Sequence, residues 1–413
     1  MSDLPVDTLL TVDQAIAILD AVPIQPRIVQ LPLADALGLR LAEDIISDSD
    51  YPPFDKAIMD GFAVRSADAS AAGVSLIVRG SIAAGQIGQP IGMGEAAAIM
   101  TGAPLPPGAN AVVPVEQTSR DGNRVILNKP VKPGQSVARR GSDTSMGRLL
   151  LSKGTLLGPA QIGVAATVGK SSVAIYAAPS VSLLATGDEL VEIDQIPTGS
   201  QIRNSNLHML SALLRKLGCK VRELEIARDH PDEIRAAIGD GLREDALFIT
   251  GGMSMGEHDY VPRLLGELGM DLRISKLRIK PGKPFVFAIG QHPNSVSANP
   301  AMVFGLPGNP VSAFVCTLRL ANRILARLSG GNPEPQIDNL KSIGDLPANG
   351  PRETYLPAFR TLDQVELLNS NGSADLFTLG RANALIIREE NASPASAGAM
   401  VRVINLPGST PAL

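Results

Sequence analysis

The chain has 413 residues, 44% of them hydrophobic and 19% charged, which is too long for one ordinary core and too apolar for a disordered chain; roughly two to four domains are expected. Lys+Arg 37 against Asp+Glu 41 leaves a formal charge of −4, so nothing draws the chain to nucleic acid and any anion site must be local. The first ten residues lack a basic flank with an apolar run, and no apolar stretch is long enough to span a bilayer, so a cytoplasmic protein without a membrane partner is expected.

Aromatics are only 3% with no Trp, whereas Gly 40 and Pro 32 imply many turns, the composition of a loop-rich α/β protein with aliphatic cores. Thr11, three residues before Gln14, predicts a capping box opening a short helix whose apolar side holds Ile16, Ile18 and Leu19. From residue 51 to about 140 short apolar runs separated by Gly and Pro predict a β-rich module, with strands at 61–64, 74–78, 111–115 and 124–127. Beyond Gly141 helical chemistry is expected to return at 149–151 and from Pro159 onward.

At 181–185 a second regime begins, in which apolar runs alternate with helix-period segments, the pattern of parallel βαβ units and a doubly wound sheet. Asn204 is placed as an N-cap, Leu207, Leu210, Leu213, Leu214 and Leu217 as an apolar stripe, and Gly218 as the stop. Further strands are predicted at 221–226, 246–250, 277–288 and 301–305, with helices from Pro231 and over 310–328. The run from Ser329 to Pro335 is a breaker cluster, after which alternating segments suggest a small β-barrel. Cys219 and Cys316 sit apart in apolar segments and read as buried free thiols.

Chemistry concentrates at three places in this second regime. Lys280 and Lys283 flank a Pro-Gly turn, where two ammonium groups suit a tetrahedral oxyanion, although the turn taken alone also reads as a solvated hairpin. Loops at Thr250-Gly-Gly-Met-Ser-Met-Gly and Phe304-Gly-Leu-Pro-Gly-Asn-Pro-Val-Ser end strands and open helices, the junction that cradles anions in doubly wound sheets. Asp188, Glu189, Asp229, Glu257 and Asp259 recur beside these strand ends, where carboxylates can converge on Mg²⁺; helix capping is the plainer alternative for Asp229 and Asp259. The residues themselves describe an anion-binding, Mg²⁺-dependent α/β enzyme with accessory β modules.

Met59-Asp-Gly, Thr101-Gly-Ala-Pro-Leu-Pro, Ala185-Thr-Gly-Asp-Glu-Leu, Gly251-Gly-Met-Ser-Met-Gly, Lys280-Pro-Gly-Lys-Pro and Leu306-Pro-Gly-Asn-Pro-Val-Ser follow one another in an order that resembles the molybdopterin molybdenumtransferases, relatives of the gephyrin E domain. The resemblance implies a discontinuous helical and strand domain at 1–50 and 141–178, an inserted β-rich module at 51–140, a molybdopterin-binding doubly wound α/β domain at 179–328 and a C-terminal β-barrel at 334–413. It implies a homodimer with each active cleft shared between chains, a molybdopterin adenylyltransferase as pathway partner, adenylyl-molybdopterin and molybdate as substrates, and Mg²⁺.

By the same resemblance Lys280, Lys283, Pro284 and Ser312 hold molybdate with Arg352 and Ser373, while Ser254 contacts the pterin nucleotide. Glu189, Asp229 and Asp259 serve Mg²⁺ and the phosphates, and Asp60, Thr101, Asp143 and Lys276 are further cleft residues. Lys56, Ala57 and Ile58 depart from the family pattern, and the segment around Ser373 matches it loosely. Two rival readings are a molybdopterin adenylyltransferase, which would be a single short domain, and a non-catalytic pterin carrier or scaffold.

Overall fold

The computed structural model describes residues 9–253, 260–291, 293 and 298–409. These fall into two compact units, one of residues 31–37 and 43–173, the other of 1–30, 38–42 and 174–413. Helix α1 (Val12–Asp20) opens the second of these. Thr11 Oγ1 accepts from Gln14 N at 3.1 Å and Gln14 Oε1 accepts from Thr11 N at 2.9 Å, so the capping box forms. The buried side is Val12, Ala15 and Leu19, with Ile16 and Ile18 only partly covered. The stripe is thus turned from the one expected, because the 3.6-residue period places 12, 15 and 19 in line.

The unit of 31–37 and 43–173 holds strands β1 (Gly61–Val64), β2 (Ser75–Ile82), β3 (Glu95–Ile99), β4 (Ala111–Pro114), β5 (Thr118–Asp121) and β6 (Arg124–Leu127). They form one sheet in the order β4-β1-β3-β2-β6-β5, antiparallel except for the β2–β3 pair. Both faces of its centre are covered: Phe62, Val64, Val113 and Leu127 pack on one side, Ala63, Ile82, Ile99 and Val112 on the other. Strands β1 and β4 therefore read as unbroken apolar runs instead of alternating ones. Residues 149–151, expected to be helical, instead form a strand paired with Ile45–Ile46. Three leucines closed off by Gly147 and Gly154, both at positive φ, leave no room for a helical turn to propagate. Helix α2 (Pro159–Thr167) follows as read, with Pro in its first turn.

In the unit of 1–30, 38–42 and 174–413, β7 (Ser180–Ala185), α3 (Ser205–Lys216), β8 (Lys220–Glu223), α4 (Pro231–Gly241), β9 (Ala246–Thr250), α5 (Val261–Glu267), β10 (Asp271–Ile274), β11 (Val286–Gly290), β12 (Ala301–Leu306), α6 (Pro310–Cys316) and α7 (Asn322–Leu328) succeed one another. Sheet order is β8-β7-β9-β12-β11-β10, with the first four strands mutually parallel and β11 antiparallel to both its neighbours. Side chains of β7, β9 and β12 alternate between two cores. Leu183, Phe248 and Phe304 face α3, α6 and α7, whereas Leu184, Leu247 and Val303 face α4 and α5. Phe304 lies at the centre of its core, its ring 4.9 Å from Phe248 and 5.1 Å from Phe287.

A π-helical turn (Thr317–Ala321) joins α6 to α7 inside the expected 310–328 helix. The segment predicted as strand over 277–288 is broken by the Lys280 turn, leaving Ile279–Lys280 and β11. Strands β13 (Ile337–Ser342), β14 (Glu353–Arg360), β15 (Gln364–Leu367), β16 (Ala384–Arg388) and β17 (Met400–Asn405) close into a barrel, because β14 pairs with β16 as well as β15. Its centre is filled by Leu340, Ala358, Val365, Ile386 and Val403. No helix of the described residues is long and apolar enough to cross a membrane.

Candidate functional site

Parallel strands β7, β9 and β12 end on one edge of their sheet, and the residues that follow them line a cleft of about 90 Å³. Thr186, Glu189 and Leu190 follow β7, Thr250 and Gly251 end β9, Gly308 and Pro310 follow β12, and Ile202, Arg203 and Asn204 to Asn206, leading into α3, complete it. Close approach requires Gly251: its φ is +94°, and a Cβ there would sit 2.4 Å from the Thr186 carbonyl oxygen. Asn206 Nδ2 ties the loops together, donating to Thr250 Oγ1 at 3.1 Å and to Gly308 O at 2.6 Å.

Three buried polar atoms lie along this cleft without a partner: Thr186 Oγ1, Asn204 Nδ2 and Asn206 Oδ1. Asn204 shows how this arises. Its Oδ1 accepts from Leu207 N at 3.2 Å, the capping role read in the sequence, and capping uses only the oxygen. The amide nitrogen is left over. An unpaired buried polar group costs about 1–3 kcal/mol, a cost that a hydrogen-bonding ligand in the cleft removes. The sequence reading missed Thr186, Asn204 and Asn206; the available signal was two Asn in one helix start, where a cap needs one.

Glu189 lies on the cleft, its carboxylate folded over Gly187, where a Cβ would meet Glu189 Oε2 at 2.4 Å. Asp229 N donates to Asp188 Oδ1 at 3.1 Å, which draws the ends of two successive strands together. His230, not Asp229, occupies the N-cap of α4, so capping does not account for Asp229. Ser254, Glu257 and Asp259 lie outside the described residues. Among the described residues no three His, Cys, Asp or Glu side chains come together as a metal-holding group.

The Lys280 turn stands on two supports. Ile279–Lys280 pairs in parallel with Glu353 and Thr354 of β14, and Glu353 N donates to Arg278 O at 3.0 Å. At the tip Gly282 (φ +124°) is pressed on α6: a Cβ would lie 2.5 Å from Cys316 Sγ and 3.8 Å from Ser312 O. Cys316 Sγ donates to Gly282 O at 3.6 Å, and Leu277 N donates to Lys283 O at 2.9 Å, closing the turn. Lys280 and Lys283 are exposed, Ser312 is buried and Pro284 and Arg352 are half-buried. Ser373 reaches the loop after β12, accepting from Asn309 Nδ2 at 3.0 Å and, through its carbonyl, from Val311 N at 3.1 Å. The carbonyl of Lys276 accepts from Leu10 N at 3.2 Å.

In the unit of 31–37 and 43–173 the structure joins Asp60 and Thr101: Asp60 Oδ1 accepts from Thr101 N at 2.7 Å and Thr101 Oγ1 at 2.8 Å. These bonds hold the Asp60 carboxyl below its usual range. Asp143 is exposed; its N–H donates to Tyr51 O at 2.9 Å and its Oδ1 accepts from Ser142 Oγ at 3.2 Å. Of the departing residues, Ala57 is buried and pairs with Val137, whereas Ile58 is exposed.

A cleft over parallel strand ends, a braced turn bearing two lysines, and accessory β structure define a multidomain α/β protein whose parallel sheet carries a cleft at its strand ends. Family models match in series: MoeA N-terminal region (domain I and II) at residues 10–169, a probable molybdopterin binding domain at 182–327, and MoeA C-terminal region (domain IV) at 340–406. The molybdopterin molybdenumtransferase of Nostoc sp. is 34% identical over 390 residues, 90% of this chain and 87% of that one. That of Haemophilus influenzae is 33% identical over 96% of this chain and 98% of its own length. A crystal structure of the molybdopterin biosynthesis moeA protein from Pyrococcus horikoshii superposes with TM-score 0.82 at 29% identity, covering 97% of this chain and 100% of that one. The chain belongs to the molybdopterin molybdenumtransferase family.

Proposed function

We propose that this chain inserts molybdate into adenylyl-molybdopterin, releasing AMP and producing molybdenum cofactor. The observation that carries the reading is the cleft at the ends of β7, β9 and β12, whose orphaned Thr186, Asn204 and Asn206 atoms await a hydrogen-bonding ligand. The pterin nucleotide fills that role. Lys280, Lys283 and Ser312, with Arg352, Pro284 and Ser373, hold the molybdate oxyanion, so its approach to the dithiolene becomes a positioned reaction. Lys276 adds charge to the same side.

Hard oxygen donors suit Mg²⁺, and we assign to such an ion Glu189, which lies on the cleft, together with Asp229 after the next strand and Asp259. When bound, Mg²⁺ supplies charge neutralisation at the nucleotide phosphates. We read the chain as four domains with the bounds given above and as a cytoplasmic homodimer, in which the exposed Asp60–Thr101 pair and Asp143 of one copy complete the cleft of the other. Its substrate comes from a molybdopterin adenylyltransferase.

The test is AMP release by the purified protein given adenylyl-molybdopterin, Mg²⁺ and molybdate, with Lys280→Ala and Asp259→Ala alongside. Molybdate-dependent release in the wild type, lost by a factor of about 100 or more in either variant, is the expected result. Tight pterin binding with no release in the wild type refutes the transferase and leaves a carrier.

A further inference from the structure

Among the buried ionisable networks of the described residues that the proposed reaction leaves unused, one lies against the lysine turn. Tyr355, 1% exposed, is the largest fully buried side chain among the described residues. Its hydroxyl accepts from Arg319 Nε at 2.7 Å and donates to the Glu353 carboxylate. Arg319, 7% exposed, sits in the π-helical turn between α6 and α7, and its Nε is 3.9 Å from Glu353 Oε1. An Arg and a Glu sharing a buried phenol is costly to desolvate, and apolar packing would hold these elements together as well. Its value lies in where it fixes Glu353.

Glu353 is the residue paired with Ile279, and Thr354 the one paired with Lys280. Arg352 precedes it directly. The same three-residue stretch therefore carries one oxyanion residue and registers the strand that carries another. Resting on the molybdate reading of that pocket, we propose that Arg319, Tyr355 and Glu353 are positioning residues that fix Lys280 relative to Arg352 and so set the affinity for the tetrahedral oxyanion. They touch no substrate. Their effect runs through backbone: the network pins the Glu353 side chain, the Glu353 N–H donates to Arg278 O, and the two-residue strand follows.

Calorimetric titration of the full chain with sodium molybdate tests this directly, independently of turnover. Tyr355→Phe removes only the shared hydroxyl and keeps the ring in its core. It is expected to weaken molybdate binding by about 10–100-fold, the scale of a sub-ångström misplacement, while adenylyl-molybdopterin binds as in wild type. Glu353→Gln, which keeps an acceptor for the phenol, is expected to fall between the two. In a Lys280→Ala background, Tyr355→Phe should have no further effect, because a positioning residue acts only through the group it positions. Wild-type molybdate affinity in Tyr355→Phe, an effect that adds in full to that of Lys280→Ala, or equal loss of pterin binding overturns the proposal. A wild type that binds no molybdate overturns it too. A chain that binds molybdate with these couplings yet releases no AMP refutes the transferase reading and upholds this one.

Discussion

Replacing Gly282 by Ala tests how the lysine turn is built. Two costs can be worked from the structure. At φ +124° a side chain occupies a backbone region that L-residues rarely adopt, a strain of about 1–3 kcal/mol. The new Cβ also lies 2.5 Å from Cys316 Sγ and 3.2 Å from Ile279 Cγ2, so the turn must lift from α6, at an overpacking cost of about 1–3 kcal/mol. Gly282→Ala should therefore lose about 2–6 kcal/mol of stability and weaken molybdate binding by about tenfold or more. Adding Cys316→Ala removes the obstructing sulfur but not the backbone strain. The double variant should recover about 1–3 kcal/mol and part of the affinity, although Cys316→Ala alone costs about 1 kcal/mol. Urea unfolding and molybdate titration of the three variants read both quantities. A Gly282→Ala protein of wild-type stability, or a double variant no better than the single, would refute the packing argument.

Asn204→Asp keeps the oxygen that caps α3 and replaces only the unpartnered Nδ2. Pterin-nucleotide binding should fall by about 10–100-fold, and the thermal transition should fall as well, because the substitution places a carboxylate at a buried position; unchanged binding would remove Asn204 from the cleft's recognition set. Burial pushes the Cys219 thiol up to about 12, and burial raises that of Cys316 as well. The native protein should leave a thiol reagent unreacted near pH 8 and yield both cysteines after denaturation, and rapid native labelling would contradict their burial.

Much of the fold was legible because α3, α4 and the strands under the cleft satisfy several local rules at once. For α3 the Asn204 cap, the leucine stripe and Gly218 at φ +88° all agree. Reading failed where neighbours decide. Residues 149–151 carry no period, and only pairing with 45–46 makes them a strand. The π turn at Thr317–Ala321 leaves the apolar pattern intact, so nothing in it marks the change. The C-terminal barrel, by contrast, was read correctly from its alternating segments, although the β14–β16 pairing that closes it is one no spacing announces. Among the candidate site residues, Lys280 and Glu189 were singled out because their charge is conspicuous in a Gly-rich loop. Asn204 and Thr186 escaped because local structure explains each of them in part, and only burial reveals the unused atom.

The strand-end cleft and the lysine turn rest on different foundations. The cleft stands on parallel strands with both faces packed, Phe248 and Phe304 on one side and Leu247 and Ile249 on the other, and its polar groups are fixed by strand ends. The lysine turn belongs to no such sheet. A strand of two residues has too few hydrogen bonds to hold itself, and this one borrows its register from β14 of the barrel and its depth from Cys316 of α6. On the proposed function, a parallel sheet alone would suffice to bind a pterin nucleotide, whereas placing an oxyanion against it would require the barrel. Substitutions in β14 should accordingly separate oxyanion affinity from pterin affinity, which substitutions in β7 or β9 cannot do.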